Sequence, residues 1–242
     1  MLYIFFMEIT KFYSPNFDKI KRPYKNITTI IIHYTGMQSE RESIERLTSS
    51  VSKVSCHYLI SRSGKTFQLV KEANIAWHAG KSMWGRYKNL NKNSIGIELV
   101  NKGHRFGYQN FTKMQIKKLI QLCKYLRKKY GIRKRNFLGH SDISPLRKID
   151  PGEKFPWEYL SSKGIGIYPK KLSEKDNVNF VPRSKLFFKN LNKIGYRYLN
   201  SKFKKKIIKN FQRKYRQKKV NGVLDLETFK ISEILAKNPN IT

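Results

Sequence analysis

Two histidines and an aspartate are the residues of this sequence whose types most directly indicate chemistry. His140 and Asp150 lie in the segment GHSDISPLRKIDPG, and His33 stands near the end of the isoleucine-rich run ITTIIIHYT. Two imidazoles and a carboxylate form the ligand set of a catalytic zinc site, which keeps its fourth position for water. We therefore predict that these three side chains hold Zn²⁺ and that the protein is a hydrolase.

Glu98, in the segment NSIGIELV, is predicted to be the general base. A zinc hydrolase needs a second carboxylate, outside the metal ligands, to accept the proton of the attacking water. Side chains alternate along a strand, so Glu98 shares a face with Ser94 and Gly96, whose small side chains leave room for a substrate. The alternative is a surface charge on an edge strand.

Lys148 precedes Asp150 by two positions, so in an extended segment both side chains lie on one face. A cation at that position would stabilise the oxyanion of a tetrahedral intermediate. We therefore predict that Lys148 is a second catalytic residue.

The aromatic segment AWHAGKSMWG supplies candidate substrate contacts. Trp77 and Trp84 are suited to stacking on a sugar or a peptide, and His78 is suited to a polar contact. Tyr58 is a further candidate for substrate binding. A buried, hydrogen-bonded core histidine is the alternative for His78, whereas His57 and His104 are expected to be structural or exposed to solvent.

Composition indicates which classes of partner the protein can attract and whether disulfide bonds or a membrane stabilise its fold. The 242 residues carry a net charge of +35 and are 39% hydrophobic, which suits a packed domain that attracts anionic partners such as nucleic acid, anionic lipid or an acidic polymer such as bacterial wall. A lysine-rich composition without function is the alternative. The two cysteines, Cys56 and Cys123, are expected to be core residues. No apolar run is long enough for a transmembrane segment.

Strands and helices alternate through residues 1–162. Apolar runs predict strands near residues 27–33, 57–62, 65–70, 94–100 and 136–139, with a hairpin turn at Ser63 and Gly64. Capping signals at Ser39 and Thr112 predict two helices, the second ending at Gly131. We expect an α/β fold, with a mixed central β-sheet flanked by helices and the zinc site at the strand ends.

The C-terminal part is predicted to be a separate small three-helix domain. Residues 163–180 contain glycines and Pro169 and are predicted to be a linker, followed by a helical domain at 181–242. Residues 183–219 hold fifteen lysines and arginines and no acidic residue. Apolar residues from Phe203 to Tyr215 recur at helical spacing, and Asp225 is placed to cap a final helix.

Five segments together resemble one protein family. IIIHYTGM, VSCHYLISRSGKTFQLV, AWHAGKSMWG, NSIGIELVN and GHSDISPLRKIDPG follow one another as in the zinc-dependent N-acetylmuramoyl-L-alanine amidases of type 2, over roughly residues 24–160. The aspartate at position 150, where many phage and animal relatives have cysteine, resembles the bacterial branch. The segment FQRKYRQKKVNGVLDLET resembles a peptidoglycan-binding helical domain, although it is more basic than is usual there.

This resemblance implies hydrolysis of the amide between N-acetylmuramic acid and L-alanine, in peptidoglycan or in its anhydromuropeptide fragments. It places His33, His140 and Asp150 as zinc ligands, Glu98 as the general base and Lys148 as the residue that stabilises the transition state. The expected partners are peptidoglycan or muropeptides, and no specific nucleic acid is expected.

Three alternatives remain at the level of the sequence. They are a catalytically silent peptidoglycan-binding protein, a basic nucleic-acid-binding module, and a zinc peptidase that cuts within the stem peptide. The sequence also leaves open the cellular compartment in which the protein acts. The N-terminal segment shows no basic leader or cleavage site, which favours the cytoplasm, whereas the appended domain favours polymeric wall and therefore the periplasm or cell envelope.

Overall fold

The computed structural model describes residues 8–169, 181 and 183–237 of the 242-residue chain. These residues form a mixed α/β fold, as predicted. Of the predicted linker at 163–180, residues 170–180 lie outside the described residues. Within the described part of the chain, no helix is both long and apolar enough to span a membrane.

The strands are short, and the two longest, β3 and β9, carry predicted site residues. The strands are β1 (Ile9–Lys11), β2 (Phe17–Asp18), β3 (Thr29–Tyr34), β4 (Tyr58–Ile60), β5 (Thr66–Gln68), β6 (Ile75–Ala76), β7 (Met83–Trp84), β8 (Tyr87–Lys88), β9 (Ser94–Leu99) and β10 (Phe137–Gly139).

The helices include one long amphipathic helix, α2, and three helices near the C-terminus. They are α1 (Glu40–Thr48), α2 (Lys113–Tyr130), α3 (His140–Ile143), α4 (Trp157–Ser162), α5 (Ser184–Ile194), α6 (Lys204–Tyr215) and α7 (Leu226–Lys237). Single turns of 3₁₀ helix occur at Tyr24–Asn26, Ser50–Ser52, Leu90–Asn93, Lys134–Asn136 and Ser201–Phe203.

The chain forms two compact units. The first comprises the described residues up to Gly80 together with Asn91–Arg133, and the second comprises Lys81–Leu90 together with the described residues from Lys134 onwards. This division differs from the boundaries 1–162, 163–180 and 181–242 drawn from the sequence, which stay a prediction.

In the first unit, strands of the main sheet follow the order β1-β5-β4-β9-β3. β9 runs parallel to β3 on one side and to β4 on the other, whereas β4 and β5 form the predicted antiparallel hairpin. The isoleucines of β3 and β9 are buried on both faces of the sheet, which explains why these strands read as continuous apolar runs rather than alternating ones.

Helix caps in the first unit follow the sequence signals. The side chain of Ser39 accepts a hydrogen bond from the backbone N–H of Glu42 at the start of α1. Thr112 caps α2 through the N–H of Gln115, and Gly131 ends that helix in the left-handed conformation. The apolar stripe of α2 is buried as predicted.

The second unit carries β10, the short helix α3 that follows it directly, and the C-terminal helices. α5 packs on α7, while α6 contacts α3, α4 and α7. Phe187, Leu191 and Phe211 are fully buried in this unit. Asp225 caps α7, as predicted, by accepting hydrogen bonds from the backbone N–H and hydroxyl of Thr228.

Candidate metal centre

His33 and Glu98 are direct neighbours across two parallel strands. In the ladder between β3 and β9, His33 is paired with Glu98, and Gly96 is paired with Ile31. Residues paired in this way point to the same face of a sheet, so the imidazole and the carboxylate project on one side near the carboxyl ends of both strands. This is the edge at which α/β folds place their sites.

A second histidine lies against His33. Nε2 of His33 is 3.0 Å from Nδ1 of His78, and Nε2 of His78 is 3.2 Å from the hydroxyl of Ser94. If each Nε2 carries the proton, His33 donates to His78 and His78 donates to Ser94. That arrangement puts Nδ1 of His33 in the ligand role, with its other ring nitrogen fixed by a hydrogen bond as is usual for metal-binding histidines.

The position of His78 is set by its backbone and by a glycine. The side-chain oxygen of Asn91 accepts hydrogen bonds from the backbone N–H groups of His78, at 3.1 Å, and Ala79, at 2.7 Å. The ring lies directly over Gly96, where a Cβ would come within 2.4 Å of Cγ of His78. Gly96 therefore makes room for a histidine ring, where the sequence suggested room for a substrate.

His57 is a structural histidine, as predicted. It is fully buried, and its Nδ1 accepts the backbone N–H of Gly96 at 3.0 Å. Burial and the adjacent positive charge of Arg22 lower the pKa of His57 well below its usual value, so the ring stays neutral. It fixes the backbone of β9 two residues before Glu98.

In the second unit, His140 and Asp150 come together as the sequence predicts. Nδ1 of His140 is 3.1 Å from Oδ2 of Asp150, and both residues are buried. The backbone N–H of Ser141 donates to the carbonyl of Asp150 at 2.9 Å, which joins the two ends of the intervening loop. β10 delivers His140 to the first position of α3, as expected from the apolar run at 136–139.

The turn into α3 depends on Asp142, which the sequence analysis did not single out. Its carboxylate accepts the backbone N–H of Gly139 at 2.8 Å, and a Cβ at Gly139 would lie 2.7 Å from Cδ of Pro151. An aspartate in the first turn of a helix is a recognised N-terminal signal, so this residue was detectable. Lys148 is half-buried in the loop that follows, and its N–H donates to the carbonyl of Ser144 at 3.0 Å.

The three predicted ligands fit a metal ion. His33, His140 and Asp150 each offer one ligand atom, and these atoms all lie within 4.8 Å of one another. All three residues are buried, and buried ionisable groups gathered in this way are costly unless they are paired or coordinate a metal. Two nitrogen donors and one carboxylate oxygen match the donor set of catalytic sites for divalent transition metals.

The remaining candidate substrate contacts occupy different settings. Tyr58 is paired with Ile97 rather than with Glu98, so it points to the opposite face of the sheet, and its buried hydroxyl contacts Glu72. Trp84 is only 4% exposed and packs on the ring of Tyr196. These facts argue against substrate contact by Tyr58 and leave little of the Trp84 ring for a ligand.

Trp77 is half-buried and donates from its indole N–H to Asp18 at 2.7 Å. A role for Trp77 or Trp84 in binding substrate stays a prediction. Both cysteines are buried and free. Cys56 is fully buried within an apolar core cluster, which confirms its core role, and burial, with the nearby charge of Glu98, raises the pKa of its thiol.

Comparison with known proteins identifies the family. Residues 23–153 match the family model described as N-acetylmuramoyl-L-alanine amidase. The chain is 35% identical over 236 residues to the N-acetylmuramoyl-L-alanine amidase AmiD of Escherichia coli, covering 88% of this chain and 83% of that protein. It is 37% identical over 168 residues to the 1,6-anhydro-N-acetylmuramyl-L-alanine amidase AmpD of Haemophilus influenzae, covering 62% of this chain and 89% of that protein.

Solved structures agree. The E. coli AmiD structure in complex with anhydro-N-acetylmuramic acid-L-Ala-D-gamma-Glu-L-Lys superposes with a TM-score of 0.78 at 32% identity and covers 91% of this chain and 92% of AmiD. AmpDh3 of Pseudomonas aeruginosa gives a TM-score of 0.79 at 29% identity, with 98% of both chains covered. The matched region contains His33, Glu98, His140, Lys148 and Asp150, and the chain therefore belongs to the N-acetylmuramoyl-L-alanine amidase family.

Proposed function

We propose that this chain hydrolyses the amide bond between N-acetylmuramic acid and the L-alanine of the stem peptide, with zinc as its metal. The observation that carries the proposal is the cluster of His33, His140 and Asp150 inside the region that matches the family. Membership of the family supports this reaction, and the cluster supports the proposal that it occurs at these three residues.

The donor set favours zinc. Imidazole and carboxylate ligands in a set of three keep one position open, which is the arrangement of catalytic zinc sites. Zinc in such a set polarises a carbonyl oxygen and lowers the pKa of the water it binds to about 7. The hydrogen bond from His33 to His78 would fix the ring of the first ligand, and the loop between His140 and Asp150 would hold the other two.

Glu98 is proposed to move the proton. Its carboxylate stands beside His33 in the sheet register, on the same face. It would accept a proton from the attacking water and return that proton to the amine of L-alanine as the amide bond breaks. Buried apolar neighbours on β9 and β3 exclude water from the strand behind it, and such surroundings favour proton transfer by a carboxyl group.

Lys148 is proposed to stabilise the oxyanion of the lactyl carbonyl. It lies two residues before Asp150 and is half-buried, so its ammonium would be partly shielded from solvent. The position of the lysine in the loop between the two ligands supports this role.

Relatives narrow the substrate class. The structures of AmiD and AmpDh3 contain anhydromuramyl peptides, and AmpD is named for the same anhydro sugar. We propose that this chain also accepts anhydromuropeptides. A catalytically silent binding protein is not favoured, because the complete set of proposed ligands and both proposed catalytic residues are present in the matched region.

The test is mass spectrometry of the products that the zinc-loaded protein forms from purified sacculi and from an anhydromuramyl tripeptide. We expect free stem peptide with an amino-terminal L-alanine. Cleavage inside the stem peptide would instead show a peptidase, and no cleavage with zinc bound would refute the enzyme. The cytoplasmic location favoured by the sequence stays a proposal, which fractionation of the producing cells tests.

A further inference from the structure

One face of α6 is directed at the segment that carries His140 and Asp150. Its polar residues contact that segment at intervals of three, four and seven positions, the spacing of one helix face. Within the second unit, the side chains that hydrogen-bond to residues 137–155 from this face and the residues just after it are those of Asn210, Arg213, Lys214 and Gln217.

Lys214 holds the turn into α3. Its ammonium, on a residue only 3% exposed, is 2.6 Å from Oδ2 of Asp142 and 3.3 Å from the carbonyl oxygen of Phe137. The same Asp142 oxygen accepts the N–H of Gly139, and its other oxygen accepts the hydroxyl of Tyr196 at 2.5 Å. The ion pair therefore ties Asp142, two residues after His140, to Phe137 and Gly139, which precede His140.

Asn210 holds the loop on the other side of His140. Its side-chain amide donates to the carbonyl of Pro145 at 2.6 Å and to the carbonyl of Lys148 at 3.1 Å. Arg213 donates to the amide oxygen of Asn210 at 2.7 Å, which orients the group. Both donor hydrogens of this fully buried amide are thus used on the loop between the two predicted ligands.

The contacts between α6 and this segment are polar, although apolar side chains at the same positions would stabilise the fold equally well. A buried ion pair often contributes no more to stability than well-packed apolar side chains of similar size, whereas its directional bonds specify one arrangement of the backbone. Metal ligands need a single, fixed arrangement of the backbone, because a site functions only when its groups are held within about 0.5 Å of their productive positions.

We propose that helix α6 is a structural part of the metal centre, and that Lys214 and Asn210 are positioning residues for His140, Lys148 and Asp150. The proposal rests on the proposed function in one respect, which is that His140 and Asp150 bind the metal. It assigns to the C-terminal helices a role separate from binding of the wall.

The experiment measures the zinc affinity of the metal-free full-length protein by competition with a chromophoric chelator, together with the melting temperature. The variants are Lys214→Met, which keeps length and removes charge, and Asn210→Asp, which removes both donors. Matched controls on exposed positions of the C-terminal helices are Lys206→Met and Asn192→Asp. We expect zinc Kd to rise about tenfold in each test variant and to stay unchanged in the controls.

Lys214→Met leaves Asp142 buried without its cation, so this variant is the one most at risk of not folding. The double variant Asp142→Asn with Lys214→Met removes that charge and keeps an acceptor for the N–H of Gly139. In the double variant we expect a melting temperature close to that of the parent with zinc Kd still raised, a combination that a purely structural role would not produce.

Folded variants whose zinc Kd equals that of the parent would overturn the positioning role, even if their melting temperatures were lower. That result would leave the amidase proposal intact, because the parent would still bind zinc and cleave its substrate. A parent protein that does not bind zinc would overturn the metal centre itself, and the positioning role with it.

Discussion

The imidazole rings of His33 and His78 meet edge to face, with 3.0 Å between Nε2 of His33 and Nδ1 of His78 and 86° between the ring planes. One ring is a predicted metal ligand, and the other is anchored by Ser94 on the strand that carries Glu98. The proposed general base, Glu98, and the predicted ligand, His33, are thus fixed to the same pair of strands.

Replacing His78 with alanine is expected to weaken zinc binding about tenfold or more, because the ligand ring of His33 loses the hydrogen bond that orients it. Gly96→Ala is expected to act in the same direction, since its Cβ would displace the His78 ring. Competition with a chelator measures both effects. His104→Ala, on an exposed side chain, serves as the control, and an unchanged Kd in the His78 and Gly96 variants would refute the role of His78.

Glu98→Gln is expected to lower kcat by about 100-fold to 10,000-fold while zinc remains bound, because the amide can neither accept nor return a proton. The rate of hydrolysis of an anhydromuramyl tripeptide, with the zinc content determined on the same sample, separates a loss of proton transfer from a loss of metal. A variant that loses zinc together with activity would instead indicate that Glu98 serves the metal site.

The protein is expected to lose stability as pH falls below about 6.5, the usual pKa of histidine. His57 has a depressed pKa in the folded state, so below that pH the unfolded chain binds a proton that the folded chain does not. The free energy of unfolding then falls by up to about 1.4 kcal/mol per pH unit from this group. Arg22 and His78 face the ring, and the positive charge of Arg22 opposes its protonation.

Urea unfolding at a series of pH values measures this loss. His57→Asn keeps an acceptor near Nδ1 for the N–H of Gly96 and removes the titrating group. The slope of stability against pH should therefore be smaller in the variant by about one proton. Equal slopes in both proteins would show that other histidines cause the acid sensitivity.

Glu72→Ala is expected to destabilise the first unit by about 1 to 3 kcal/mol, because it leaves the buried hydroxyl of Tyr58 without its acceptor. The Glu72 carboxylate is buried and contacts the hydroxyls of Tyr58 and Tyr130 and the ammonium of Lys129. Glu45→Ala breaks the exposed pair with Arg41 and should change the unfolding free energy by no more than about 0.5 kcal/mol. Similar values for both variants in urea unfolding would contradict this assignment.

Neither cysteine is expected to react with a thiol reagent in the folded protein. Burial raises the pKa of both Cys56 and Cys123, so neither forms the reactive thiolate and neither is accessible. With a reagent that releases a chromophore when it reacts with a thiol, the absorbance should indicate two reactive thiols in urea and none in native buffer. Rapid labelling of the native protein would show that a core segment opens.

Local signals account for most of what the sequence predicted correctly. The caps at Ser39, Thr112 and Asp225 each involve side chains within a few residues of the backbone they bond to, and the isoleucine-rich strand that ends near His33 is visible in its composition alone. The pairing of His33 with Glu98 was not predicted, since the pattern of a strand does not state its partner strand.

Long-range contacts account for the features of the site that the sequence did not reveal. Lys214 and Asp142 lie 72 residues apart, and among the many lysines of this chain nothing local distinguishes a buried one. The packing of Trp84 on Tyr196 could not be read from its aromatic segment, and Gly96 was interpreted as space for a ligand, whereas it accommodates the ring of His78. In each case the neighbour in space decides the role.

The register between β3 and β9 also determines which insertions and deletions this sequence tolerates. Adding or removing one residue between Thr29 and His33 would turn His33 to the opposite face of the sheet, away from Glu98. A change of two residues would restore the face but move the imidazole along the strand by about 7 Å. The number of residues in this short stretch is therefore constrained in both parity and length, and this constraint would stay hidden in any survey limited to substitutions.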